Sequence, residues 1–491
     1  MHMKLPKTLI VAAAAGLALV AAGPVAAQAE LASPAGGSGT VLVPCNTSSL
    51  VSDLTAPASG VTLSLSLQCT YVLTSALPTI STDLTIDGNS ATLERSLTGS
   101  PGDFSILTIT SGNVAINAVN FTNGYAHVGS GPAIRPRCES PNTARPASAI
   151  RHASATRPRS TIRTRDAVRN CGVENTNKPA YDGGAIDNTG GTVSVTGGTF
   201  SHNHARYGGA IYTDDALAVS GATFTDNSAE YGGAIYNEYD TAISKSTFTG
   251  NGAYEGGALY ADWNTEVDTS VFSDNGAEYG GGAYIEDGSD TIATSSFISN
   301  DADEGGGVYN DGYASIASTL FLTNSASSYG GGLYNDDIAF LTTVVFRQNA
   351  ASDYGGGAYD DDYLSLTSST VASNTAEYGG GIYSDDDLVT STTGFTRNTA
   401  YEGGGVYDDE YATLIGASFT LNSATDYGGG IYYEGDMLDL INGFVNLNTA
   451  PGGGGGGIYN DSDDVSLIST RIFGNTASNC SPVASVDGCT G

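Results

Sequence analysis

Basic residues are scarce in this chain. Lys and Arg total 18 against 52 Asp and Glu, and the formal net charge is −34. Tryptophan occurs once and methionine three times, beside 28 tyrosines. So acidic a chain is a poor partner for nucleic acid, because affinity there comes mainly from cations set against phosphates. No Cys/His pair has zinc-ligand spacing. No apolar 3.6-residue periodicity is long enough to predict a helix, so no glycine-rich phosphate loop opens onto one. A length of 491 residues suggests two to four ordinary domains. The 66 glycines argue against that. Glycine does not recur every third position, so collagen is excluded, and recurring Phe, Ile, Val and Tyr argue against disorder. A repeat architecture remains.

The first 29 residues read as a signal peptide. Lys4 and Lys7 precede an apolar stretch, 9–22, too short to cross a bilayer, and Ala27-Gln28-Ala29 makes a cleavage site. No transmembrane segment is expected in the mature chain, which is placed outside the cell or on its surface. Exported cysteines can be oxidised. Cys45 with Cys69, and Cys480 with Cys489, are expected to form one local disulfide at each end of the ordered region.

From residue 200 onward two markers recur. The first is an aromatic or Val followed three places later by Asn: Asn227, Asn251, Asn275, Asn300, Asn324, Asn349, Asn374, Asn398 and Asn422. The second is a glycine run ending at Tyr212, Tyr236, Tyr260, Tyr284, Tyr309, Tyr334, Tyr359, Tyr383, Tyr407, Tyr432 and Tyr459. Successive members stand 24 or 25 residues apart, stretching only near the end. Each period holds short alternating stretches broken by Asn, Gly and Asp, the signature of strands and turns. Propeller blades need longer repeats and leucine-rich repeats a different pattern. The expected fold is all-β: a right-handed parallel β-helix, or solenoid, of about 12 coils.

Five segments follow from this reading: the leader 1–29, an N-terminal cap with irregular coils over 30–126, an insert at 127–180, regular repeats over 181–478, and a disulfide tail at 479–491. Coils about 4.8 Å apart place like residues over like. Phe should fill the interior, Asn should form a structural ladder of hydrogen-bonded amides at a turn, and alternation should turn Tyr outward as an external stripe.

The pairing of Gly-Gly-Ala-Ile (183–186, 208–211 and 232–235) with Phe-x-x-Asn resembles the repeat of chlamydial polymorphic outer-membrane proteins. More broadly it resembles the pectin-lyase-like β-helix group. The resemblance covers about 181–478 and implies an adhesin displayed at a cell surface. It departs from that family at the C-terminus, where a short Cys-bracketed tail stands in place of a membrane-inserted barrel.

The insert breaks the pattern. Nine of the 14 arginines lie between Arg135 and Arg169, among Pro, Ala and Ser, together with Cys138 and Cys171. A disordered loop, a basic arm and the product of two compensating frameshifts are the readings open for it.

The chemistry of the repeats is acidic. From residue 181 onward there are 43 acidic side chains against five basic ones. A carboxylate stands two residues after each Tyr of the series, including Asp336, Asp361, Asp385, Asp409 and Glu434. A looser row that includes Glu230, Glu304, Glu402 and Asp426 precedes the glycines. Like charges stacked at 4.8 Å repel by about 0.9 kcal/mol per adjacent pair in water. The columns are either a solvated, solubilising turn or a row of calcium sites shared between coils; no other cofactor is expected.

The expected function is a structural or adhesion-type binding protein. Its candidate binding face is Tyr334, Tyr359, Tyr383, Tyr407 and Tyr432, offered to a glycan, cell-wall or host-surface ligand. The alternative is a polysaccharide lyase or glycoside hydrolase, which would need clustered unlike residues. No catalytic residue is assigned. Trp263 alone interrupts the tyrosine side, and ion pairs with Asp353 and Glu402 are expected to account for Arg347 and Arg397.

Overall fold

Alternating side chains and frequent turn residues fold each repeat into three short strands. In the computed structural model, which describes residues 39–99, 101–126, 182–462 and 464–482 together with 486 and 489, one such coil runs Val308–Asn310, Tyr313–Ala317 and Leu320–Leu322. Within Tyr313–Ala317, Ala314 and Ile316 are buried while Tyr313, Ser315 and Ala317 face out. Corners are made by residues in the left-handed region, Ser318 at φ 49° and Thr323 at φ 54°. Each such corner costs an L-residue about 1–2 kcal/mol. The glycine run solves a different problem. A Cβ on Gly332 would lie 2.5 Å from the Gly357 carbonyl oxygen and 2.8 Å from the Phe346 ring. Only hydrogen fits where two coils approach so closely.

Stacking the coils produces three long parallel sheets. Sheet A has 16 strands, sheet B 15 and sheet C 14. In the coil above, Val308–Asn310 belongs to sheet C, Tyr313–Ala317 to sheet A and Leu320–Leu322 to sheet B. The chain is a parallel β-solenoid of about 16 turns rather than 12. The difference lies at the N-terminal end. The first four strands of sheet A, Thr40–Val43, Val61–Leu65, Leu84–Asp87 and Val114–Asn117, belong to coils without the Tyr marker. Counting markers therefore misses them. The interior repeats cleanly: Ile292, Ile316, Leu341 and Leu366 stack in register on sheet A.

One helix occurs among the described residues, Thr47–Leu54, and no helix was expected. The Asn46 side chain caps it by accepting from the Ser48 N–H at 2.9 Å. It buries Leu50 and Leu54 against the first coil. Eight residues hold too few apolar positions to register as a helical period. The Cys45–Cys69 disulfide ties this cap down, and Cys480–Cys489 closes the other end. No described helix is long and apolar enough to cross a membrane.

The stack continues in register past the anomalous segment. Leu107 pairs with Ile186, Val114 with Val193 and Phe121 with Phe200. The leader, the arginine-rich insert, Cys138 and Cys171 lie outside the described residues.

Two columns hold the interior. Phe rings from Phe121 to Phe346, and again Phe395 and Phe419, stack with centroids 4.6–5.2 Å apart. Val371 and Val445 take the ring's place in two coils. Each aromatic pair adds about 0.5–1.5 kcal/mol beyond burial itself. Beside the rings runs the asparagine column. Asn251 Nδ2 donates to Asn275 Oδ1 at 3.0 Å and to the Phe224 carbonyl oxygen at 3.1 Å, and the Asn251 N–H donates to the same Oδ1 at 2.9 Å. The pattern repeats through Asn227, Asn275, Asn300, Asn324, Asn349, Asn374, Asn398 and Asn422. All are buried.

Candidate binding face

Alternation along sheet C sends Ile382 and Ser384 into the tube and Tyr383 out of it. The outward tyrosines form one unbroken column. From Tyr212 to Tyr459, successive centroids are 4.4–5.8 Å apart. The column is nevertheless not an open stripe. Tyr359, Tyr383, Tyr407 and Tyr432 are only 6–9% exposed, and Tyr334 is half-buried. A second tyrosine tier covers them. Tyr354 meets Tyr383 edge-on at 4.7 Å, Tyr378 meets Tyr407 at 5.8 Å and Tyr231 meets Tyr260 at 6.1 Å. Members of that tier also stack on each other, Tyr354 lying 5.3 Å from Tyr329 and 5.2 Å from Tyr378. The two tiers make a small aromatic core outside the solenoid's own core. The sequence carries a signal for it: Tyr207, Tyr231, Tyr279, Tyr329, Tyr354, Tyr378 and Tyr427 each stand directly before a glycine run, five residues ahead of a ladder tyrosine, while Glu255, Glu304 and Glu402 take that place in other coils.

The carboxylates meet this column through its hydroxyls. Tyr212 donates to Glu238 Oε1 at 2.9 Å, Tyr284 to Asp311 Oδ2 at 2.9 Å and Tyr383 to Asp409 Oδ2 at 3.1 Å, each one coil on. Tyr260 donates to Glu286 in the same way. Tyr359 and Tyr432 turn instead to their own coil, to Asp361 and Glu434 at 3.3 Å. Burial, followed by the neighbouring carboxylates, holds these phenols far above their ordinary pKa.

Carboxyl groups of successive coils also touch. Asp361 is raised by burial first and then by its hydrogen-bonded contact with Asp336. Asp409 is raised by burial and by the same kind of contact with Glu434, and it also meets Asp385. In the row before the glycines, burial and then Asp303 push Glu304 up to about 7. Burial and then Asp426 push Glu402 up to about 7. No group of three or more His, Cys, Asp or Glu side chains that could hold a metal ion occurs among the described residues. The five carboxylates considered for calcium, Asp336, Asp361, Asp385, Asp409 and Glu434, supply contacts between neighbours and no preformed cage.

The remaining candidates separate. Arg206 pairs with Glu230 at 3.0 Å, and His202 lies 3.7 Å from Asp226. Arg347 and Arg397 form no ion pair among the described residues, contrary to expectation. Both belong to the sheet B side, Arg347 ending the strand Val345–Arg347 and Arg397 occupying the left-handed corner after Gly394–Thr396. Trp263 is 47% exposed, and Tyr239, at the same position one coil earlier, is 51% exposed.

The Chlamydia polymorphic membrane protein repeat matches this chain at residues 197–214, 221–238 and 245–262. Each match runs from the left-handed corner before a Phe-x-x-Asn strand, at Gly197, Gly221 or Lys245, to the carboxylate after the ladder tyrosine. The chain thus carries that repeat in three consecutive coils of the solenoid. Comparison with curated proteins and with solved structures returns no match.

Proposed function

We propose that this chain is an extracellular or cell-surface protein of structural or adhesion type, whose rigid solenoid holds a long acidic, tyrosine-rich surface against a glycan, cell-wall or host ligand. The observation that carries this reading is the recurrence of tyrosine beside carboxylate along sheet C. Tyr–carboxylate contacts recur at Tyr212, Tyr260, Tyr284, Tyr359, Tyr383 and Tyr432, and an extended surface of repeated contacts suits binding by many weak interactions. The matched membrane-protein repeat supports a surface location, as does the leader at 1–29. Catalysis would call for unlike residues gathered at one place. The acidic field also repels uronate polymers, the substrates expected of a pectin-lyase-like enzyme.

The test is a screen of the purified chain, immobilised on beads, against cell surfaces and against neutral, acidic and amino polysaccharides, with reducing ends monitored throughout. Retention on at least one surface or glycan without product release is expected. Release of oligosaccharides would replace the adhesive reading with the enzymatic one, and no retention on any surface would remove it.

A further inference from the structure

The outer face of sheet A changes character halfway along the solenoid. Its early strands, such as Leu217–Ser220 and Thr241–Ser244, are four residues long and show Ala and Ser to solvent. From Ser289–Ala293 to Met437–Ile441 the strands are five residues long and begin one residue earlier. That added position carries Tyr313, Ile338, Tyr363, Asp387 and Tyr411 in register. Phe340, on the same face, lies 5.4 Å from the Tyr313 ring and 5.5 Å from the Tyr363 ring, tilted by 43° and 47°. Tyr313 is 44% exposed and Tyr411 39%. The fold does not require aromatics here, since Ser289 fills the same position one coil earlier. Exposed aromatics gathered on one face mark a contact surface.

The surroundings select the ligand. Asp387 sits in register between Tyr363 and Tyr411, and the Tyr411 hydroxyl donates to Asp436 Oδ2 at 2.9 Å. Asp362 and Asp386 stand in the turns leading into these strands. No Lys or Arg lies in these strands or in the turns before them. A second copy of so acidic a chain is repelled from this face. A peptide adding itself as a strand needs a free sheet edge, and here both neighbours of every strand are taken. A sugar ring has an apolar C–H face for the aromatic and a polar rim for hydroxyls and carboxylates. Four coils separate Tyr313 from Tyr411, roughly 19 Å, so the occupant is a chain of several sugars.

We propose that the outer face of sheet A from Tyr313 to Tyr411 binds a linear amino-sugar polymer, its rings packed on Tyr313, Phe340, Tyr363 and Tyr411 and its ammonium groups against Asp387 and Asp436. This rests on the reading of the chain as a glycan-binding surface protein and names both the face and the ligand class. It also moves the contact surface away from the covered tyrosine column of sheet C.

The experiment is calorimetric titration of the full chain at pH 6 with a glucosamine hexamer, its fully N-acetylated counterpart, polygalacturonate and polylysine. The glucosamine hexamer should bind, the acetylated hexamer at least tenfold more weakly, and polygalacturonate not at all. A Tyr313→Ala/Tyr411→Ala double variant, altered only at exposed rings, should melt with the wild type and lose at least tenfold in hexamer affinity. It should keep any affinity for polylysine, which reports charge alone. Unchanged hexamer affinity in that variant, or equal binding of the acetylated hexamer, overturns the assignment. If the wild type is retained by other glycans in the bead screen but ignores glucosamine, this inference fails alone. If nothing retains it, the functional reading fails as well.

Discussion

The Asn300 side-chain amide donates to Asn324 Oδ1 at 3.0 Å, from one coil to the next. The same amide donates to the Phe272 carbonyl oxygen at 3.0 Å, while Asn300 Oδ1 accepts from both the N–H and the Nδ2 of Asn275. One buried side chain thus satisfies polar groups in three consecutive coils. Asn300→Ala leaves the Asn275 N–H and Nδ2 without their shared acceptor in a dry interior and takes one donor from the Phe272 carbonyl. Each buried orphan costs about 1–3 kcal/mol, so a loss of about 3 kcal/mol or more is expected. Urea unfolding followed by circular dichroism measures it. A loss below about 1 kcal/mol would mean that water enters the column.

The phenylalanine column offers a built-in comparison. Val371 pairs with Phe346 on one side and Phe395 on the other, so one coil already tolerates a smaller group where others hold a ring. Phe272 has rings on both sides, at 4.6 and 4.8 Å. Phe272→Ala should cost about 3–5 kcal/mol through lost burial and the cavity left behind. Val371→Ala, measured by the same unfolding assay, should cost clearly less, because fewer atoms are removed.

These columns were legible because in-register parallel stacking turns repetition along the chain into adjacency in space. Phe-x-x-Asn every 24 or 25 residues could mean little else once helical repeats were excluded. What covers the tyrosines was less legible. Alternation tells which side of a strand Tyr383 leaves from, but its cover is Tyr354, 29 residues earlier and in the preceding coil. The sheet A patch escaped notice for a related reason. Tyr313, Tyr363 and Tyr411 share one repeat position, but Ile338 and Asp387 alternate with them there and Phe340 stands two residues further on, so the aromatic period is broken and only the geometry brings the rings together.

Ladder tyrosines should behave as core residues rather than as surface contacts. Tyr383 is 7% exposed, stacks on Tyr359 and Tyr407, and donates a hydrogen bond to Asp409. Tyr383→Phe removes one hydrogen bond and should cost about 1 kcal/mol. Tyr383→Ala also opens a cavity in the two-tier cluster and should cost about 3 kcal/mol or more. Thermal melts of both variants decide it. If the alanine variant is as stable as wild type, the second tier is not a packed layer.

Acid should stabilise the fold. Asp290 is 1% exposed, and burial pushes its carboxyl up to about 7 although the Thr265 N–H donates to it at 2.8 Å. Glu304 and Glu402 are pushed up to about 7 as well. In the unfolded chain these groups titrate near 4. The folded state therefore holds more protons between about pH 4 and 7, and stability falls as pH rises through that window. The contribution is whole below about pH 4 and lost above about pH 7. The melting temperature should be higher at pH 5 than at pH 8, and Asp290→Asn should reduce the difference. A melting temperature that climbs steadily from pH 5 to pH 8 would contradict the assignment.

Salt should act in the same direction at alkaline pH, and it separates the two readings of the carboxylate columns. Asp336 with Asp361, and Asp409 with Glu434, bring like charges into contact across coils. Raising NaCl from about 0.05 to 0.5 M shortens the Debye length from more than 10 Å to less than 5 Å. At pH 8 this should raise the melting temperature by several degrees, and at pH 5, where more of these acids hold protons, by less. Calcium requires six to eight oxygens per ion, whereas no group of three or more acids placed to hold a metal ion occurs among the described residues. Calcium chloride should therefore match sodium chloride at equal ionic strength. A separate rise that saturates below about 1 mM calcium would instead mean that the columns close around the ion, with neighbouring coils supplying the missing oxygens.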